Sequence, residues 1–472
     1  MSLRSEIESA WGSHALEELK RFIAIPAKNQ AFDPSWKENG YLMQALKNAQ
    51  QYGLSYFPDA TFEIIEIEGA TPALFIDIPA QGGHDGKPAF FYGHFDKQPE
   101  MDGWSNGLGA FTPVIRDGRL YGRGSCDDGY SFYSALSSVL ALRRTNTPHP
   151  RITGLFETDE ETGSAFYDQY LDMVKEKIGE PSVLFILDLS SPSTDRLWLT
   201  QSLRGVIAFT IKVKALTTPV HSGAYGNLVP NPFSVLRAIF DAFEDPRTGI
   251  VNRREILSRP IPERHEKSIK QYAELIGDGL IKSLPLLDGV HPMYEDPVKA
   301  VQEAAWAPSF TVLGLNGIPE IGKGGALIHK EASASVAFRI PPGVDAMSAF
   351  EFIRSEMIDP YISQWNVKID VSDVRCEDGF DIPELPLWLD EAWSSASMRI
   401  FGNPPASLFE GASIGTMKLF GRAFPNSPFI GTGVLGPHSN AHAADESLDL
   451  EYTTRLSEAV AMVIEAIPRS RN

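Results

Sequence analysis

The sequence predicts an α/β fold: a domain with a mostly parallel sheet flanked by helices, interrupted by an inserted α+β domain. Three observations carry this. Short apolar runs alternate with helical stretches between Thr61 and Leu187. Several of these runs end in an acid or a histidine, the arrangement expected where a site is assembled beyond the carboxyl ends of strands. Between Arg204 and about Asp373 the order changes to strand, helix, two strands, helix, strand.

The elements follow in order. Leu16, Leu19, Phe22 and Ile23 recur at helical spacing over 15–24, and Leu42, Ala45, Leu46 and Ala49 do so over 40–52. Strands are expected at 62–65, 73–78, 89–92, 152–156 and 183–187, with a further run at 428–435 near the C-terminus. Asp127 and Asp128 open an apolar helix over 130–142. Inside the insertion, strands are expected at 206–213, 309–313, 333–340 and 367–371, and helices at 232–243 and 346–357. The Pro-spotted, charged stretch 248–307 shows no clear periodicity at its start and reads as an irregular excursion. The expected division is 1–203 with 376–472 for one domain and 204–375 for the other.

Composition narrows the function. A chain of 472 residues is too long for one ordinary core, and 43% hydrophobic with 22% charged residues is the balance of a water-soluble protein. A net charge of −19 repels phosphate backbones and anionic lipid, so neither nucleic acid nor a membrane surface is an expected partner. Two cysteines, Cys126 and Cys376, support neither a disulfide framework nor a thiolate zinc cluster, and fit a reducing compartment. Charged residues interrupt the first 26 positions, so no signal-peptide core is read there and the cytoplasm is expected.

The chemistry-bearing types gather at strand ends and glycine-rich turns: His94, Asp96, Asp127, Asp128, Glu160, Glu161, Asp188 and His442. Oxygen and imidazole donors without thiolates suit Zn²⁺, Mn²⁺ or Co²⁺ in a hydrolytic site. His94 and Asp96, two apart in extended chain, project to one side, which lets the carboxylate orient the ring. Gly122 to Gly129 turns tightly and places two consecutive acids at a helix start, where simple N-capping is an equal alternative. Adjacent Glu160 and Glu161 repel each other, a cost that a nearby cation offsets. One can bind metal while the other serves as general base, although a solvated acidic loop explains the pair as well. Asp188 alone says only that a turn begins, and His221 alone reads as a surface histidine. No Gly-Lys-Ser/Thr phosphate loop occurs, and Cys126 beside two acids is a poor nucleophile.

Taken in order, these residues resemble the dinuclear zinc metallopeptidase family of aminoacylase, carnosinase-type dipeptidases, carboxypeptidase G and succinyl-diaminopimelate desuccinylase. The resemblance runs from about Tyr92 to Glu446, through Gly93-His94-Phe95-Asp96, Gly122 to Asp128, and Glu160-Glu161-Thr162-Gly163-Ser164. It implies a zinc-peptidase-like catalytic domain with an inserted lid and dimerisation domain. By it His94 and Asp188 would hold one metal, Glu161 and His442 the other, and Asp127 would bridge both. Asp96 would orient His94, and Glu160 would be the general base. Two divalent ions, zinc foremost with manganese or cobalt as alternatives, are the implied cofactors.

His442 is preferred to His438 because 441–446 resembles the family's His-x-x-Asn-Glu ending, with Asp445 replacing Asn. The resemblance also implies that His221, in His-Ser-Gly, polarises the scissile carbonyl in a homodimer partner's site. Arg339, in Phe338-Arg339-Ile340-Pro341-Pro342-Gly343, would bind the substrate carboxylate, and Ser413 in Glu410 to Ile414 would help hold that end. The implied activity is hydrolysis of dipeptides or short peptides with a free C-terminal carboxylate. The alternatives are deacylation of N-acyl amino acids, a non-catalytic peptide or amino-acid binding protein, and a structural cation site in an unrelated hydrolase.

Overall fold

The structure is a computed structural model, and it describes residues 2–411 and 415–469. The chain divides into two compact units: Met1–Gln201 with Ile382–Leu408 and Gly415–Asn472, and Ser202–Asp381 with Phe409–Ile414.

The first unit is built on a six-stranded sheet. Its order is Thr61–Ile65, Ala73–Ile78, Ile152–Glu157, Ala89–His94, Val183–Ile186 and Phe429–Gly431. The last four strands run parallel, and Ala73–Ile78 runs against its neighbours. The sheet is thus mostly parallel, as expected. Ala89–His94 and Ile152–Glu157 are buried at every position, which is why they read as continuous apolar runs rather than alternating ones. The last strand is shorter than its sequence run, because beyond Gly431 the chain makes only single bridges, Gly433 to Asp188 and Leu435 to Ser190. Gly433 is required there: a Cβ would meet the Leu187 and Leu189 carbonyl oxygens at 2.5 and 2.0 Å.

Helix Gly129–Arg144 is buried from Gly129 to Leu142 and packs against Leu450–Glu465. Serines permit this close approach: Ser134 and Ser457 share a hydroxyl hydrogen bond of 2.8 Å, and Ser138 Oγ donates to the Ser457 carbonyl at 2.8 Å. Asp128 stands at the N-cap of Gly129–Arg144 without capping it by a side-chain bond to the helix amides. At the N-terminus, Leu3–Ala10 and Leu16–Ile23 are joined by a π-type turn, Trp11–Ala15.

The second unit holds a four-stranded antiparallel sheet in the order Ser309–Asn316, Glu331–Ile340, Gly205–Lys214, Lys368–Glu377. Burial alternates along Glu331–Ile340, so Ala332, Ala334, Val336, Phe338 and Ile340 face one way, onto helices Pro232–Phe243 and Ala346–Phe352. The 248–307 stretch is more ordered than its sequence suggested: it contains helices Glu263–Ile276 and Pro297–Trp306, with two shorter ones. Ile269 and Ala273 pack there against Val301, Ala305 and Trp306. No helix among the described residues is long and apolar enough to cross a membrane.

Candidate metal centre at the carboxyl edge of the sheet

His94 is the last residue of its strand and pairs in register with Glu157, the last of its neighbour. Asp188 lies two residues beyond Val183–Ile186, the strand on the other side. Parallel strands therefore deliver these side chains to one edge, beyond their carboxyl ends. The Tyr130 hydroxyl donates to the Leu187 carbonyl and so fixes the chain just before Asp188.

Five of the expected residues come together in two groups that share Asp127: His94 with Asp127 and Asp188, and Asp127 with Glu161 and His442. Within each group the donor atoms lie within 4.8 Å of one another. Asp127 presents Oδ1 to His94 Nε2 at 3.2 Å and Oδ2 to His442 Nε2 at 2.8 Å. Asp188 Oδ2 lies 3.6 Å from His94 Nε2, and Glu161 Oε2 lies 3.1 Å from His442 Nε2.

Asp96 is a hub. Its Oδ1 lies 3.3 Å from His94 Nδ1 and accepts the Glu160 amide at 3.1 Å. Its Oδ2 accepts the Glu161 amide at 3.1 Å and Asn29 Nδ2 at 2.9 Å. Asp96 thus orients the ring, through this carboxylate and through its backbone carbonyl 3.2 Å from His94 Nδ1, while the carboxylate pins the backbone of both glutamates. Asp128 Oδ2 accepts from the His94 amide at 3.2 Å and from Ser131 Oγ at 2.6 Å, a role in place of helix capping. Glu161 is also held by Gln98, through its amide at 3.1 Å and its side-chain nitrogen at 2.7 Å.

The electrostatics show a centre short of positive charge. Burial disfavours a charged His94, yet Asp127, Asp188 and Asp96 around it raise its pKa well above the ordinary value. Asp127 and Glu161 push His442 up to about 11. Burial, reinforced by the Asp127 charge, raises Asp188 and Glu161 to about 6 each. Burial pushes the Glu160 carboxyl well above its usual range, and Asp188, Glu161 and Asp127 add to this against the pull of His94. Asp188, Glu161 and the two imidazoles attract protons, while against burial His442 and His94 hold the Asp127 carboxyl below its usual range. Three carboxylates and two imidazoles so arranged form a donor set that divalent cations fit.

Not every expected residue joins the groups. His221 belongs to the second unit, is exposed, and its Nδ1 accepts the amides of Gly223 at 3.1 Å and Ala224 at 3.3 Å, capping the short helix Ser222–Tyr225. Arg339 lies on the less buried face of the second unit's sheet, where burial and then Arg375 lower its pKa. Ser413 lies outside the described residues. His438 is exposed, belongs to neither group, and accepts Ser447 Oγ on its carbonyl at 2.9 Å. Asp445 accepts the amide and hydroxyl of Ser105.

Sequence reasoning did not find Asn29 or Gln98, which no motif or spacing marks. Arg123 and Glu446 fall inside the motifs at 122–128 and 441–446 without an assigned role. These two form a buried ion pair, Arg123 Nη1 to Glu446 Oε2 at 2.6 Å.

Two imidazole–carboxylate groups sharing one aspartate at the strand edge of an α/β sheet make the donor set of a metal centre. Peptidase family M20/M25/M40 matches residues 90–466, so the chain belongs to that family and is a metallopeptidase. It is 26% identical over 400 residues to the Cys-Gly metallodipeptidase dug1 of Schizosaccharomyces pombe, covering 82% of this chain and 81% of that one. It is 24% identical over 385 residues to the cysteinylglycine-S-conjugate dipeptidase of Corynebacterium striatum, covering 77% and 78%. The solved structure of the dipeptidase Dug1p from Saccharomyces cerevisiae superposes with a TM-score of 0.80 at 20% identity, over 98% of both chains.

Proposed function

We propose that this metallopeptidase cleaves the amide bond of dipeptides or short peptides that carry a free C-terminal carboxylate. The observation behind the proposal is the pair of donor groups sharing Asp127, with Glu160 in electrostatic reach of both and a member of neither. The dipeptidase names of the two relatives support the substrate class.

In this reading His94, Asp127 and Asp188 hold one ion, and Asp127, Glu161 and His442 the other. Imidazole and carboxylate donors without thiolates suit zinc, manganese or cobalt, of which zinc is proposed first. When bound, the ions supply Lewis-acid polarisation of the scissile carbonyl and bring the pKa of a water toward ~7.

Glu160 takes the proton of the attacking water and passes it to the leaving amine, a transfer suited to a carboxyl whose pKa burial has raised. Asp96 keeps the His94 ring and the Glu160 amide in place during that exchange. Arg339 is assigned to the substrate carboxylate, by charge-assisted and bidentate contact, with Ser413 as its helper. His221 is assigned to the scissile carbonyl of a substrate bound in a second subunit.

A homodimer accompanies this assignment. The edge strand Ser309–Asn316 exposes Val312, Leu313 and Leu315, which a partner strand would cover. Light scattering on the purified protein tests it. The free thiols of Cys126 and Cys376 favour the reducing cytoplasm.

The deciding experiment assays a dipeptide panel beside N-acetyl and N-succinyl amino acids, after chelation and stepwise return of Zn²⁺, Mn²⁺ or Co²⁺. Dipeptide turnover that tracks metal return is the expected result. Preference for N-acyl amino acids would assign a deacylase instead, and metal binding without turnover a binding protein.

A further inference from the structure

The loop that carries His442 is shaped by groups that take no part in the chemistry. His438, Asn440, His442 and Asp445 all adopt left-handed backbone, with φ of 66°, 50°, 63° and 61°. Side chains make that region uncommon, although Asn, Asp and His enter it more readily than most. Packing does not impose it on His442, whose side chain is 55% exposed.

The contacts that anchor this loop to the turn before Asp127 converge on Glu446. Its Oε2 pairs with Arg123 Nη1, and its Oε1 accepts the amides of Gly124 at 2.9 Å and Cys126 at 3.4 Å. Its backbone carbonyl accepts the Gly122 amide at 3.0 Å. Arg123 Nη2 then donates to the Ala443 carbonyl at 3.0 Å, one residue after His442. Both side chains of the pair are essentially excluded from solvent. A single knot therefore ties the turn leading into Asp127 to the loop holding His442.

We infer that Arg123 and Glu446 are positioning residues that set the affinity of the Asp127–Glu161–His442 group for its ion, by locking those two loops together. The inference rests on the two-ion reading above. The His94 side needs no such lock, since its histidine is carried by a sheet strand and its ring is held by Asp96.

The test titrates the metal-free, full-length protein with Zn²⁺ against a chromophoric chelator, which resolves stoichiometry and each affinity. Glu446→Gln keeps the size and removes the charge, whereas Arg123→Lys keeps the charge and loses the reach to Ala443. Each is expected to weaken one of two ions by about 10- to 100-fold and to leave the other within about twofold. His442→Ala should remove that same ion, and adding Glu446→Gln to it should change nothing further. Thermal melting in excess Zn²⁺ verifies folding; should Glu446→Gln not fold, Arg123→Lys alone decides. Folded variants with both affinities unchanged, or with both ions equally weakened, would overturn the inference. A wild-type chain taking fewer than two ions would overturn the two-ion reading itself, and this inference with it.

Discussion

His94 ends a strand that is buried along its whole length, whereas His442 projects from an irregular loop and is half exposed. Asp188 likewise follows a strand with no exposed residue, while Glu161 sits in a single 3₁₀ turn, Glu160–Thr162. The two halves of the centre share Asp127 but are held by different physics. Backbone ladders and packing fix the strand-borne half. Discrete polar tethers fix the loop-borne half: Arg123–Glu446, Ser105–Asp445 and Gln98–Glu161. A sheet edge tolerates the loss of one hydrogen bond better than a loop does.

Glu160 provides the largest test, because it belongs to neither half. Glu160→Gln should lower kcat/KM by roughly 10²- to 10⁴-fold while metal analysis still finds both ions. Loss of an ion together with activity would instead assign Glu160 to a half.

Glu157 probes the strand-borne half in the metal-free protein. Burial holds its carboxyl at about 8 against an unfolded value of 4.5. The folded chain therefore binds the proton more tightly than the unfolded chain does. That contribution is whole below pH 4.5 and is lost as pH rises through 8. Between those limits the wild type should lose roughly 3–5 kcal/mol of stability relative to Glu157→Gln, as read by urea unfolding at a series of pH values.

Chelation measures the two halves together. An ion present at a hundred times its Kd stabilises the fold by about 2.7 kcal/mol. Wild type should thus lose about twice as much on chelation as His442→Ala, which retains only the strand-borne ion. A His442→Ala variant that loses nothing on chelation, by calorimetry, would show that the halves cannot load separately, and a loss equal to that of the wild type would show that His442 holds no second ion.

Ser105→Ala is the mildest test. It removes the hydroxyl bond to Asp445 and leaves the amide bond, at a cost of about 0.5–1.5 kcal/mol. The effect should appear as a few-fold weakening of the loop-borne ion alone in the Zn²⁺ titration.

The same contrast explains what the sequence revealed. Strands buried on both faces announce themselves as apolar runs, so the sheet and the strand-end positions of His94 and Asp188 were legible. Asp127, Glu161 and His442 were legible through motif resemblance, since nothing in local periodicity marks a loop residue as a ligand. Asn29 and Gln98 were not, because each is a lone polar side chain whose partner is distant in space or set by a turn. The helix Glu263–Ile276 escaped notice because its buried stripe is only His265, Ile269 and Ala273 amid many charges. For Asp128, capping and chemistry are equal alternatives in the sequence, and only the fold shows its carboxylate turned toward the His94 amide.

Gly433 touches no donor atom, yet it lets two chain segments lie closer than any side chain would permit. One added carbon there would drive the segment leading to His442 away from the one carrying Asp188. In a saturation screen, Gly433→Ala would therefore score like the loss of a ligand, marking a position whose contribution is the room it leaves.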